Sequence, residues 1–246
     1  MKLEIVAVGA QGAAVAAEEG ADRIELCSAL ELGGLTPSQG LMEAAQEAAG
    51  GRLEIHPLIR SRPGDFLYSS ADVDTMDREI RFLLTQGAQG VVIGVLTAAG
   101  DIDVRTTRKL ADTALETNPK AQLTFHRAID QTPDPAAAVE QLVDLGFTRV
   151  LSSGGAPTVG AGIATLERMV QRAAGRLEVM AGGGLALDDI PALHRAGLSA
   201  VHLSAKATVS TWKNPAGATD KPAASDPTAY MVTDRELVRA ARAAAG

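Results

Sequence analysis

Hydrophobic and polar positions alternate in short blocks along the chain, and the blocks predict strands and helices in regular succession. Apolar runs rich in Val, Ile and Leu indicate eight strands, at residues 3–8, 23–27, 53–59, 90–95, 122–128, 149–153, 177–182 and 200–205. Amphipathic, Ala-rich segments between them indicate helices near residues 11–20, 38–49, 73–87, 103–117, 135–145, 160–174 and 187–196. A last helix is predicted over 234–245, capped by Thr233 with Glu236 at capping-box spacing.

The order of these elements favours an α/β fold. Eight β-α units of roughly 30 residues match a (β/α)8 TIM barrel in a single domain that spans residues 1–246. Residues 206–232 are then a long loop after strand eight, and residues 233–246 are a C-terminal helix. An open doubly wound sheet is the alternative. It needs a glycine-rich phosphate turn after the first strand, and AVGAQGAA at residues 7–14 matches that turn poorly.

Alternation within the strands predicts a polar barrel interior. Successive strand residues face the helices and the barrel axis in turn, and in each strand the apolar set must face the helices. The inward set then contains Glu4, Arg23, Glu25, Glu54, His56, Glu178 and His202. Because buried charges must be paired, we expect these side chains to form a network, with Arg23 neutralising glutamates. For Glu4, Glu54 and Glu178, early in their strands, a purely structural role is the simpler interpretation.

Further polar residues stand at the carboxyl ends of the predicted strands, where barrel enzymes carry their chemistry. Cys27, Arg60, His126 and Asp130 lie there, and TFHRAID at residues 124–130 indicates a strand that leaves the core and enters a site. Arg127 turns away from the barrel axis unless the backbone has already left the strand. Glycine-rich loops on the same rim offer backbone N–H groups to an anion, or are simply tight turns. Their candidate residues are Gly155, Gly182, Gly183 and Gly184.

Composition excludes several classes of function. A net charge of −7 argues against general binding to nucleic acid or to an anionic membrane. Aromatic residues make up 3% of the chain, which leaves few platforms for base stacking. No apolar stretch is long enough to span a membrane, and the single cysteine excludes an intrachain disulfide. We therefore expect a cytoplasmic protein that can form a homo-oligomer and whose partner is a small anion or a metal ion.

Several motifs together resemble the CutC copper homeostasis protein family. They are GADRIELCSALELGGLTPS (20–38), HPLIRSRPGDFLYS (56–69), TFHRAID (124–130), SSGGA (152–156) and MAGGG (180–184), in the family's order and spacing. The resemblance covers roughly residues 1–205. It implies a TIM barrel in a cytoplasmic protein linked to copper homeostasis through copper ion binding. The polar positions that it implies are Glu25, Cys27, His56, Arg60, Asp65, His126, Arg127 and Asp130.

Two functions from different classes remain open. Copper is the cofactor that the resemblance implies, and Cu(I) prefers thiolate ligands with imidazole next. Cys27 is alone and the six Met do not cluster, so a copper site would combine Cys27 with His126 and His56 if the strand ends converge. Otherwise Cys27 is a small buried hydrophobe.

The alternative is a cofactor-free enzyme that acts on a small anionic or sugar-like molecule by acid/base chemistry. Glu25, His126 and Asp130 are its candidate acids and bases, and Arg60 and Arg127 with the glycine-rich loops are its anion clamp. A Schiff-base mechanism is less favoured, because the one lysine at a strand end is Lys206. A structural or scaffolding role is the third interpretation.

Overall fold

Eight parallel strands form a nearly closed barrel, as the sequence predicts. A computed structural model describes residues 1–210 and 229–246 of the protein. The sheet has the order β3-β2-β1-β8-β7-β6-β5-β4, and a parallel bridge between Leu58 and Val92 joins its two edges. The barrel strands are β1 (Lys2–Ala7), β2 (Arg23–Leu26), β3 (Glu54–Pro57), β4 (Gly90–Ile93), β5 (Gln122–Phe125), β6 (Arg149–Ser152), β7 (Glu178–Gly182) and β8 (Ala200–Leu203).

Helices alternate with the strands and cover the outside of the barrel. Side-chain caps explain where several begin: the Ser69 hydroxyl accepts from Asp72 N–H, Asp103 caps Thr106, and Asp134 caps a helix with Pro135 in its first turn. The helices are α1 (Ala10–Glu18), α2 (Gln39–Ala49), α3 (Ser70–Thr85), α4 (Val104–Thr117), α5 (Pro135–Asp144), α6 (Val159–Ala173), α7 (Ile190–Arg195) and α8 (Arg235–Ala245). None of those in the described residues is long and apolar enough to cross a membrane.

The apolar core lies mainly between the sheet and the helices, where residues such as Ile5, Ile24 and Leu123 are fully buried. Among residues 1–210 and 229–246, apolar side chains form two small clusters inside the barrel. Val6, Cys27, Leu58 and Val92 make one, and Leu151, Met180 and Ala200 make the other. The rest of the interior is polar, so apolar packing alone does not fill this barrel.

The floor of the barrel contains the predicted charge network. Arg23 is buried and bonds to Glu4, and its guanidinium lies 3.9 Å from Glu54 and 3.8 Å from Glu178. Arg149, which we did not predict, is also buried and bonds to Glu178. Each guanidinium therefore lies beside at least one carboxylate, which is the condition for keeping charge inside a barrel.

The end of the chain differs from the sequence prediction in two places. The sequence predicts a loop over residues 206–232, whereas β9 (Lys206–Val209) and β10 (Tyr230–Thr233) pair as an antiparallel hairpin. The helix cap predicted at Thr233 is wrong, because Thr233 is the last residue of β10. Asp234 caps α8 instead, and its carboxylate accepts from Leu237 N–H at 3.1 Å. Trp212, in the predicted loop, lies outside the described residues.

Candidate functional site

A cavity of about 770 Å³ opens at the carboxyl end of the barrel. Side chains from most strands reach it, because the parallel strands all end on this side of the barrel and polar residues stand at those ends. Its polar lining residues include Glu25, Arg60, His126, Arg127, Asp130, His202, Ser204 and Lys206. Val6, Leu58, Phe66 and Leu151 supply apolar wall. This combination of apolar wall and few convergent polar groups is typical of a small-molecule site.

Glu25 and His202 form an acid–base pair in the cavity wall. Both side chains are nine-tenths buried, and His202 Nε2 lies 3.9 Å from a Glu25 oxygen. Burial raises the pKa of Glu25 to about 7, the charge of Glu4 adds to that effect, and the charge of His202 opposes it. A carboxyl group with this pKa exchanges its proton near neutral pH, which is what general acid–base catalysis requires.

Glu4 fixes the ring of His202 from below. Its carboxylate lies 2.7 Å from His202 Nδ1 and is bonded on its other side to Arg23. Burial alone would raise the pKa of Glu4, but the Arg23 charge and the His202 hydrogen bond hold it well below its usual range. Glu4 is therefore an acceptor, so His202 Nδ1 carries a proton and Nε2 faces Glu25. Burial lowers the pKa of His202, but Glu4 and Glu25 together raise it above its ordinary value.

His126 lies at the end of β5 and forms one wall of the cavity. Its Nδ1 accepts a hydrogen bond from Ala128 N–H at 3.1 Å, which places the ring proton on Nε2. Burial, together with the charge of Arg60, lowers the pKa of His126 to about 3, so the ring is neutral. Gly94 leaves the space for it, because a Cβ at Gly94 would lie 2.3 Å from the ring. His126 is thus a fixed N–H donor and a poor base.

Arg60 is a buried cation on the same wall. Its terminal nitrogens donate to the carbonyls of Leu32, Gly34 and Gly64 at 2.7–3.0 Å. In the described part of the chain, no carboxylate forms an ion pair with it. The guanidinium therefore keeps its full charge beside the cavity, where a ligand anion would neutralise it.

Arg127 and Asp130 pair with each other at the rim. Because β5 ends at Phe125, Arg127 has left the strand and lines the cavity, its Nε donating to Asp130 at 2.9 Å. Asp130 also accepts from the hydroxyls of Ser152 and Ser153 and from the N–H groups of Ser153 and Gly155. With its oxygens occupied in this way, Asp130 mainly anchors the loop after β6. Its serine partners are residues that sequence analysis missed.

The four candidate glycines have different environments. Gly183 and Gly184 line the cavity with φ values of +108° and +62°, which favour glycine. A Cβ at Gly183 would lie 2.5 Å from the Arg127 guanidinium carbon. Gly182 belongs to β7 and makes room for Leu151 and His202, whereas the Gly155 N–H is already bonded to Asp130. Only Gly183 and Gly184 therefore remain exposed to a ligand in the cavity.

The donors expected for copper do not assemble. Cys27 packs in the apolar cluster with Val6, Leu58 and Val92, and burial raises the pKa of its thiol far above the usual range. A neutral thiol is a poor Cu(I) ligand, because the thiolate is the form that binds metal. Within residues 1–210 and 229–246, no group of three or more His, Cys, Asp or Glu side chains is arranged to hold a metal.

Strand register separates the two candidate histidine ligands. Leu58 pairs with Val92, and Val92 pairs with Thr124. His56 lies two residues before Leu58 and His126 two residues after Thr124, so they differ by about 13 Å along the strand direction. His56 belongs to the barrel floor, where its Nε2 lies 3.6 Å from Glu54. The copper donor set of Cys27, His56 and His126 thus fits one metal ion poorly.

The family model and the relatives found by sequence point to the same family. Residues 1–207 match the model of the CutC family. A family protein CutC from Rhizobium meliloti (strain 1021) is 45% identical over 205 residues, covering 83% of this chain and 81% of that protein. One from Vibrio vulnificus (strain CMCP6) is 45% identical over 194 residues, covering 78% and 76%.

Solved structures of other proteins have the same fold as this chain. The crystal structure of CutC from Streptococcus agalactiae, named for copper homeostasis, superposes with a TM-score of 0.76 at 27% identity, covering 83% of this chain and 98% of that one. The aldolase QR15 gives a TM-score of 0.64 at 16% identity, covering 83% and 89%, and shares the fold alone.

Proposed function

This chain belongs to the CutC family, and we propose that it binds a small anionic molecule in the barrel cavity and exchanges a proton with it through Glu25 and His202. The observation that carries this proposal is the buried Glu25–His202 pair, whose carboxyl group has a pKa of about 7 inside a ligand-sized cavity. Burial that raises the pKa of a carboxyl group is costly for folding, and perturbed ionisable groups of this kind concentrate at functional sites.

The chemistry is a proton transfer between the pair and the ligand. Near neutral pH the pair shares one proton, located on Glu25 or on His202 Nε2, while Glu4 keeps Nδ1 protonated in both forms. The ionised form of Glu25 can accept a proton from a carbon beside a carbonyl or from a hydroxyl. The protonated form can return it. Positioned groups of this kind contribute roughly 10²–10⁴-fold to rate.

The ligand class follows from the cavity's charges. Arg60, Arg127 and Lys206 are the cations of the lining, against the carboxylates of Glu25 and Asp130. Asp130 is paired with Arg127, so the remaining field is positive although the whole chain has a net charge of −7. A cationic cavity in an acidic protein selects for anions. We therefore propose a small carboxylated or phosphorylated compound with hydroxyl or carbonyl groups.

The test is proton exchange in heavy water. Small phosphorylated and carboxylated hydroxy- and oxo-compounds are incubated with the protein, and proton NMR follows loss of the C–H signal beside the carbonyl. Ligand-observed NMR identifies the compounds that bind. We expect exchange in at least one binder, a loss of about 10²-fold or more in Glu25→Gln, and no change in the exposed control Glu47→Gln. Binding without exchange would overturn the acid–base role, and the absence of any anionic binder would overturn the ligand class.

Direct copper binding is the second candidate, because the family's name records copper homeostasis. The neutral thiol of Cys27 and the separation of His56 from His126 oppose it. We propose that any role in copper homeostasis depends on the cavity's ligand. Cu(I) affinity, measured by competition with a chelator, should be weak and nearly unchanged in Cys27→Ser. A site tighter than about nanomolar that disappears in this variant would restore a copper carrier.

A further inference from the structure

Two buried N–H donors on the cavity wall form no hydrogen bond of normal length and angle in the described part of the chain, although the Tyr68 hydroxyl also interacts with the Arg60 side chain. They are Nε of Arg60 and Nε2 of His126. Both side chains line the cavity, and both are more than nine-tenths buried. Buried polar atoms in folded proteins are almost always paired, so two orphaned donors on one wall require an explanation.

The two donors are fixed from behind. Three backbone carbonyls hold the terminal nitrogens of Arg60, and the Ala128 N–H holds Nδ1 of His126. Neither group can turn away to find another acceptor without breaking these bonds. The unpaired N–H groups are therefore built into the wall, as preorganised binding groups are.

Phe66 connects the two groups. The centre of its ring lies 4.8 Å from the centre of the His126 ring and 5.4 Å from the guanidinium carbon of Arg60. Phe66 itself is only partly buried and lines the cavity. The two nitrogens have almost no exposed surface, so a ligand would reach them only after a neighbouring side chain moves, and Phe66 contacts both groups.

We infer that Arg60 and His126 form a subsite for the anionic group of the ligand, a carboxylate or a phosphate, with Phe66 as its cover. An anion there would accept from both orphaned donors and would neutralise the guanidinium that no described carboxylate pairs with. A neutral imidazole N–H beside a fixed guanidinium suits an anionic oxygen and gives no stabilisation to a cation.

The position of this subsite orders the ligand in the cavity. Arg60 follows β3 and His126 follows β5, whereas Glu25 and His202 belong to β2 and β8 on either side of β1. An anion at Arg60 and His126 would therefore direct the rest of the molecule across the cavity to the acid–base pair. The inference rests on the proposed function in this respect, but anion binding itself does not require Glu25.

The experiment uses inorganic phosphate and acetate as probes of the whole chain. Nitrogen-15 NMR of the histidine rings reports the site, and calorimetry gives the dissociation constants. We expect Nε2 of His126 to shift on titration with at least one of the two anions. Arg60→Lys and His126→Asn should each weaken binding about tenfold or more. Arg105→Lys and His194→Asn, exposed residues of the same types, should leave it unchanged.

Two further variants separate the possible causes of failure. Phe66→Ala should bind the anion more tightly, because the cover no longer has to be displaced. Glu25→Gln should keep anion binding while losing proton exchange, so the subsite and the catalytic proposal can fail independently. An unshifted His126 signal at saturation, or equal binding by Arg60→Lys and the parent, would overturn the subsite. Weaker binding in Phe66→Ala would overturn the role of Phe66.

Discussion

Residues of the barrel floor contribute mainly to stability, whereas residues of the cavity wall are the candidates for ligand binding. Arg23 is the central cation of the floor, bonded to Glu4 and close to Glu54 and Glu178. Replacing it by Met leaves a fully buried Glu4 without its main countercharge. Removal of one partner from such a pair costs much more than the pair contributes, because a charge is then left buried.

We therefore predict that Arg23→Met lowers the free energy of unfolding by about 3–5 kcal/mol. Chemical denaturation at neutral pH measures it. Arg172→Met, which removes an exposed arginine from α6, is the control and should change stability by less than about 0.5 kcal/mol. Equal stability of Arg23→Met and the parent would show that the floor network is not needed to neutralise Glu4.

The burial of His56 predicts how the stability of the protein changes with pH. Burial, and then the charge of Arg23, lowers its pKa to about 3, so the folded protein keeps the ring neutral. The unfolded chain takes up this proton below about pH 6.5, and stability is lost as the pH falls from there towards the folded value. We expect His56→Asn to lose less stability than the parent between neutral and acidic pH, by up to about 1.4 kcal/mol per pH unit.

Thermal denaturation at a series of pH values measures this difference. His194→Asn removes an exposed histidine and should follow the parent at every pH. Parallel curves for His56→Asn and the parent would mean that folding does not lower the pKa of His56.

At the scale of elements, the short strand β4 matters because its end makes room for His126. Gly94 follows β4, and a Cβ there would lie 2.3 Å and 2.4 Å from two atoms of the His126 ring. We predict that Gly94→Ala displaces this ring, weakens anion binding, and destabilises the fold by about 1–3 kcal/mol. Gly40 in α2 has open space at its Cβ, so Gly40→Ala should be neutral or stabilising by up to about 1 kcal/mol. Similar values for both variants would contradict a tight packing of His126.

Strand alternation explains why much of the barrel could be predicted. A one-residue shift would move every glutamate of the floor to the helix side, so the apolar parity of RIEL and EIHP already places Arg23, Glu25 and His56 inside. The same pattern places His202 inside the barrel, but its mid-strand position does not distinguish a catalytic role from a structural one. Its proposed catalytic role depends on contacts with Glu4 and Glu25, which form because the closed barrel pairs β8 with β1.

Other features depend on contacts that sequence spacing does not show. Asp130 stands at a strand end like a catalytic carboxylate, but serines 22 and 23 positions later fill its oxygens. Arg149 begins β6 and could not be paired with Glu178 before the register was known. The hairpin of β9 and β10 was missed, because its strands lie far apart in a segment rich in Ala, Pro and Ser.

For the whole molecule, charge divides into a paired floor and an open cavity. In the floor, arginines pair with glutamates. The cavity above contains the guanidinium of Arg60, which no described carboxylate pairs with, and the Glu25 carboxyl group, whose pKa is raised to about 7. The floor therefore stabilises the barrel, and the cavity at the carboxyl ends of the strands is left for ligand chemistry. Its central element is Glu25, because the acid–base account requires a carboxyl group that titrates near neutral pH.

Carbon-13 NMR titration of the glutamate carboxyl groups, with Glu25→Gln to assign the resonance, tests this account most directly. Burial of Glu25 beside Glu4 predicts a midpoint near pH 7 for its signal, against about 4.3 for an ordinary glutamate. A Glu25 midpoint near the ordinary value would mean that the carboxyl group is permanently ionised at neutral pH, and it would contradict the proposed acid–base site.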